Sequence, residues 1–218
     1  MIETVKNRRT IRKYLQKDIS SDLLNDLLEA SFRASTMGGM QLYSVVITRD
    51  SEIKEKLSPA HFNQPMVKGA PVVLTFCADF RRFTKWCEQR KAIPGYNNLM
   101  SFMNAAMDTL LVAQTFCTLA EEARLGICYL GTTTYNPQMI IDTLKLPELV
   151  FPITTVTVGY PDGSYTNCFM EYKPTLAQFD RDEKDHLAVH KEKRANEIRC
   201  LENDVIFFTT VPWFSFTG

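Results

Sequence analysis

The side chains best suited to chemistry gather at the start of the chain. Arg8-Arg9-Thr10-Ile11-Arg12 sets three guanidinium groups and a hydroxyl within five positions. Extended, the segment projects Arg8, Thr10 and Arg12 to one side, because side chains alternate along a strand. Wound as a helix, it places Arg9 and Arg12 on a common face. Either way guanidinium forks and a hydroxyl converge, a donor set that matches the oxygens of a phosphate. Taken alone, the segment reads better as a solvated basic terminus. Two other stretches join small polar residues to glycines, which let backbone amides approach a ligand closely. They are Ser35-Thr36-Met37-Gly38-Gly39-Met40-Gln41 and Leu130-Gly131-Thr132-Thr133. The second follows a strand-like run, and clefts in sheets open at strand ends. Each is also an ordinary loop composition.

Other chemistries find no support. The chain has no G-x-G-x-x-G fingerprint, no phosphate-binding Walker motif and no G-x-S-x-G elbow. Its six cysteines include no C-x-x-C pair and sit mostly among apolar neighbours, which predicts reduced thiols acting as small core hydrophobes. His186 and His190 share helical spacing but lie in a mixed charge run, so the expectation is a solvated face and no metal site. With 25 basic and 25 acidic side chains, the chain lacks the cationic excess of a nucleic-acid binder. The balance is uneven: residues 1–17 hold Lys6, Arg8, Arg9, Arg12, Lys13 and Lys17 against Glu3 alone. The longest apolar stretch, Leu99–Ala120, is broken by Asn104, Asp108 and Gln114, which argues against a membrane span. The start lacks a charged-then-apolar leader, which predicts a cytoplasmic protein.

The elements that must position these residues are legible in outline. Leu23, Leu24, Leu27, Leu28 and Phe32 recur at helical spacing behind Ser20-Ser21, so a helix is expected from about Asp22 to Arg33. Residues 42–48, 71–76, 127–131 and 152–159 are rich in β-formers and read as strands. Ser51–Leu57 reads as a short charged helix, and Asn136-Pro137 as the start of another reaching Leu144. Leu99–Arg124 contains neither Gly nor Pro and is apolar on nearly every face, so the expectation is a long helix buried on several sides and capped at Gly126. The result is an α+β protein. Beyond residue 165 a densely charged helix (Asp180–Asp204) and an aromatic tail (Val205–Gly218) are expected to form an extension packing on this chain or a partner.

The order of these pieces resembles the FMN-dependent nitroreductase family, most closely its NADPH-type nitroreductase and flavin reductase branch. The likeness runs through Arg8–Arg12 with Tyr14, Ser35 to Val46, Gln64 with Val67–Pro71, Phe76–Phe80, the long helix, Leu125–Gly131, Leu144–Pro147 and Val156–Pro161. It covers about residues 2–163 in colinear order and implies a 1–165 FMN-binding domain with a 166–218 extension. It also implies a mainly antiparallel central sheet flanked by helices, and a homodimer whose core is the long apolar helix. By the same resemblance, Arg8, Arg9, Thr10 and Arg12 hold the FMN phosphate and ribityl chain. Ser35, Thr36, Met37, Gly39 and Gln41 line the isoalloxazine, Gln64 reaches it from the other subunit, and Leu130, Gly131 and Thr132 face its N5. The implied activity is ping-pong hydride transfer from NAD(P)H through flavin N5 to a nitroaromatic or quinone acceptor. No side chain is then a general acid or base. Two departures stand out. The basic pair usual after the Gly159-Tyr160-Pro161 turn is missing, and Gly38-Gly39 occupies a place where the family has an asparagine. The first of these motivates an alternative, a flavin-binding homodimer with little or no NAD(P)H turnover.

Overall fold

A computed structural model describes residues 1–95 and 98–163; the charged helix and aromatic tail expected beyond residue 165 lie outside them. In chain order the elements are α1 (Ile2–Lys6), α2 (Ser21–Ser31), β1 (Tyr43–Thr48), α3 (Ser51–Leu57), α4 (Pro65–Gly69), β2 (Val72–Asp79), α5 (Arg81–Gln89), α6 (Leu99–Glu122), β3 (Gly126–Leu130), α7 (Pro137–Leu144) and β4 (Val150–Gly159). The helix starts follow from local chemistry. Ser20 Oγ accepts from Leu23 N at 3.3 Å, Asp50 Oδ1 from Ile53 N at 2.9 Å and Asn98 Oδ1 from Ser101 N at 2.9 Å, each satisfying an otherwise orphan amide.

The four strands form one sheet in the order β1-β2-β4-β3, with every pairing antiparallel. The period-2 alternation of β2 sorts its side chains between two apolar layers. Val72, Leu74 and Phe76 face α2 and α6, where the Phe76 and Phe116 rings lie 6.0 Å apart. Val73 faces the opposite layer, built with Leu57, Ala60, Met66, Val67 and Ile140 from the short helices. All eight residues of β2 are buried, as expected of a strand covered on both faces.

Two expectations need revision. Gly126 is not a helix cap: α6 ends at Glu122, Arg124 takes the left-handed turn with φ 62°, and Gly126 opens β3. Its glycine serves packing instead, since a Cβ there would meet Ile11 Cβ at 2.6 Å. Gly159, its partner in the β3–β4 register, is under the same constraint from Tyr14 and Pro71, each 2.7 Å from an added Cβ. The chain from Ile11 to Leu15 therefore lies flat on the sheet's edge, with Ile11 N bonded to Ile127 O (3.0 Å) and Leu15 N to Tyr160 O (2.8 Å). Helix α6, for its part, is buried on one face only within this chain. Ala105, Val112, Phe116 and Ala120 point inward, whereas Leu99, Met100, Met103, Met107, Leu110 and Leu111 are exposed.

Candidate functional site

The sheet places the sequence-predicted residues in two groups, one at each edge. At the β3 edge, the N-terminal segment takes the extended form. Thr10 is buried, Arg8 and Arg12 are half-buried, and Arg9 is exposed. Arg8 Nε pairs with Glu121 Oε2 of α6 at 3.2 Å. Burial pushes the Glu121 carboxyl up while the Arg8 cation opposes that shift. Arg12 lies against Cys128, whose thiol burial pushes up and Arg12 draws back. Neither Arg9 nor Arg12 has a carboxylate partner among the described residues. Tyr14 fixes the end of the segment, its hydroxyl donating to Ile11 O at 2.7 Å and meeting Thr157 Oγ1 at 2.7 Å.

Leu130, Gly131 and Thr132 turn off the end of β3 beside this segment. Leu130 buries its side chain in the core, so only its backbone can serve a ligand. Gly131 is open, with nothing within 4 Å of where a Cβ would stand. Thr133 N and Oγ1 both donate to Leu130 O, at 3.3 and 2.9 Å, which closes the turn. Thr132 Oγ1 meets Nδ1 of His61 at 2.9 Å. His61 is fully buried, and burial brings its pKa down to about 4, so the imidazole is neutral near pH 7. Three residues further on, half-buried Gln64 stands at the start of α4, its amide bonded to His61 O at 3.2 Å. The His61–Thr132 bond thus ties the Gln64 segment to the Leu130–Thr132 turn of the same chain.

Residues 35–41 lie at the opposite edge, before β1. Thr36 leads into a tight turn over Met37–Gly39, in which Gly38 (φ 59°) and Gly39 (φ 66°) are left-handed. Gln41 is left-handed as well, at φ 51°, a strained position for a residue with a side chain. Two groups hold this loop. Asp108 of α6, fully buried, accepts from Met37 N at 2.9 Å through Oδ1, while its Oδ2 has no partner among the described residues. Arg82 of α5 donates to the Gln41 carbonyl, and Asp79 fixes the start of α5 by accepting from Arg82 N at 3.2 Å. Ser35, exposed, stands at the entry to the loop. His61, Asp108, Arg82 and Glu121 belong to none of the sequence motifs. Asp108 did leave a signal: it is one of the few charged residues in an otherwise apolar helix.

β1 and β3 are separated by three strand spacings, roughly 14 Å. The first group offers cations and open backbone for an anionic ligand. The second offers a glycine turn suited to lying against a flat ring. Among the described residues no cluster of His, Cys, Asp and Glu could hold a metal ion, and no helix is long and apolar enough to cross a membrane.

Comparisons with known proteins place the chain in a family. The Nitroreductase family model matches residues 5–160. The FMN reductase [NAD(P)H] of Bacillus subtilis strain 168 is 33% identical over 164 residues, covering 74% of this chain and 66% of that protein. A solved candidate oxidoreductase from Bacteroides fragilis NCTC 9343 superposes with a TM-score of 0.75 at 68% identity, over 94% of this chain and 86% of that one. The NfrA1 nitroreductase of B. subtilis superposes with a TM-score of 0.73 at 25% identity, over 92% and 96% of the two chains. The chain spans 66% and 65% of the lengths of the two B. subtilis FMN reductases it matches, just under two-thirds.

Proposed function

This chain belongs to the nitroreductase family, and we propose that it is an NAD(P)H-dependent FMN oxidoreductase acting on nitroaromatic or quinone-type acceptors by a ping-pong cycle. The observation that carries the reading is the β3-edge cradle. Two arginines without carboxylate partners flank a buried threonine, next to a strand-end turn whose glycine leaves its backbone open. These residues fit a flavin mononucleotide. Arg9 and Arg12, with Thr10 between them, would hold its phosphate and ribityl chain, with Arg8 contributing beyond the Nε it gives to Glu121. The backbone at Leu130–Thr132 and the Gln64 side chain would lie along the ring. When bound, FMN supplies the two-electron chemistry, accepting hydride from NAD(P)H and releasing it to the acceptor.

The chain's own residues bind and orient. His61, neutral and bonded to Thr132, adds no positive charge to the ring's surroundings and holds the turn in place. The Ser35, Thr36, Met37, Gly39 and Gln41 loop sits at the far edge of the same sheet, and in this reading it reaches the ring from a second copy of the chain. The exposed stripe along α6, from Leu99 to Leu111, provides the apolar surface for that homodimer. The arrangement supports Gln64 and Thr132 serving one ring from one subunit, with the 35–41 loop arriving from the other.

The test is direct. Purified protein should be yellow, or take up FMN to become so, and should oxidise NAD(P)H when given a quinone or a nitroaromatic. A colourless protein that FMN does not reconstitute would sink the reading.

A further inference from the structure

Helix α5 is bonded to the glycine loop through Arg82, yet its charge is unexplained by that contact. Its sequence stacks Arg81 with Lys85 and Arg82 with Trp86, each pair one helical turn apart and on adjacent ridges. Between positions 79 and 91 five cations stand against Asp79 and Glu88. Arg81 and Lys85 are exposed, and neither meets a carboxylate among the described residues. Asp79, the nearest acid, is engaged at both oxygens, by Arg82 N at 3.2 Å and by the Ser44 hydroxyl. Like charges a turn apart repel, and two arginines in the first turn also oppose the helix dipole. The helix therefore carries an electrostatic cost that an anion would relieve.

The space for that anion is present. A cavity of about 460 Å³ is bounded by the cations Arg81, Arg82 and Lys85 with Trp86 and Gln89, and by Asp79, whose two oxygens are already bonded. A second, of about 400 Å³, is bounded by Gly38, Gly39, Gln41, Arg82, Phe83 and Trp86. Asp79, Arg82 and Trp86 form a wall common to both, so the cationic cavity adjoins the glycine loop. Trp86 is half exposed, and the Arg90 guanidinium lies 5.9 Å from its ring centroid. An exposed indole between cations suits a planar heterocycle that carries phosphate.

We propose that the α5 cavity is a subsite for a phosphorylated nucleotide reacting at the Gly38–Gln41 loop. Arg81 and Lys85 pair with its phosphate and Trp86 packs on its base or ring. This inference rests on the oxidoreductase reading above. The nucleotide has two possible sources, the dinucleotide donor and free FMN serving as an acceptor.

Calorimetric titration of the full chain, as purified, separates them. One probe is adenosine 2′,5′-bisphosphate, which carries phosphates of the donor type without nicotinamide; the other is free FMN added to flavin-saturated protein. Arg81→Gln/Lys85→Gln is expected to weaken the bisphosphate about tenfold, as loss of charge-assisted phosphate contacts does, and wild-type affinity should fall as salt rises. Trp86→Ala is expected to weaken it about fivefold through lost stacking. Weakening for FMN alone assigns the cavity to the acceptor. All three side chains are exposed, so the variants should melt like the wild type. Equal affinities of wild type and double variant for both probes, or no binding of either probe by the wild type, overturn the proposal. The bisphosphate needs no hydride transfer to bind, so a protein that fails to oxidise NAD(P)H would end the enzymatic reading and leave this result standing.

Discussion

At the β3 edge the candidate site is held chiefly by close packing and neutral hydrogen bonds, with the Arg8–Glu121 ion pair beside them, whereas at the β1 edge it hangs from ionisable groups. Ile11 and Tyr14 press on Gly126 and Gly159, the Tyr14 hydroxyl is bonded twice, and an uncharged His61 holds Thr132. The loop at residues 35–41 depends instead on the Asp108 carboxyl and the Arg82 guanidinium, and its backbone is left-handed at Gly38, Gly39 and Gln41. Tight packing tolerates little rearrangement, while a strained loop on two polar anchors can shift when an anchor changes. The first edge suits a group gripped permanently, the second a ring whose neighbours exchange in each cycle.

The largest expected effect tests the neutral half. With its pKa brought down from 6.5 to about 4 by burial, folded His61 stays unprotonated where the unfolded chain takes up a proton. Stability is therefore full above pH 6.5 and falls as pH drops toward 4, by about 3 kcal/mol across the window. Urea unfolding near pH 7 and near pH 5 should show the decline, and His61→Gln should flatten it. The same half carries the proposed phosphate cradle. Arg12→Ala should weaken FMN retention by about 1.5–3 kcal/mol, read as the dissociation constant from flavin fluorescence, with the protein's melting little changed.

The polar half should respond to chemistry more than to size. Asp108→Ala leaves Met37 N without its acceptor and should cost about 1–3 kcal/mol in unfolding free energy. Asp108→Asn can still accept that bond through its amide oxygen and should recover most of the loss. Equal losses in the two variants would show that volume, and not the hydrogen bond, holds the loop. The smallest expected effect is at Gly38, where φ of 59° penalises a side chain although an added Cβ would make only ordinary contact with Met40, at 3.7 Å; Gly38→Ala should cost about 1 kcal/mol by thermal melting.

How much of this was legible in the sequence differs between scaffold and site. The strands and the capped helices were visible because their signals are local: a run of β-formers in Val72–Phe76, and Ser20 ahead of a leucine repeat. Helix α5 was hidden by its composition, since a nine-residue segment with six polar or charged positions and two aromatics shows no continuous apolar face. Gly126 was misread as a cap because the residue that requires it, Ile11, lies 115 positions earlier in the chain. The arginines, the glycine loop and the strand-end turn announced themselves by type. Their division between two sheet edges did not, because it depends on strand order. His61 and Asp108 were visible only as a lone histidine and a lone acid in apolar surroundings, and neither pattern names a partner.

The central claim, that one site is assembled from the β3 edge of one chain and the 35–41 loop of another, is tested by mixing broken halves. Arg12→Ala disables the first half and Gly38→Val/Gly39→Val the second, so dimers of either variant alone should retain little FMN. Co-expressed with different affinity tags and purified as a mixed dimer, the two variants should recover one FMN per dimer at near wild-type affinity. That recovery is expected because one interface then joins an intact cradle to an intact loop. A mixed dimer that retains no more FMN than its parents would show that each chain builds its site alone.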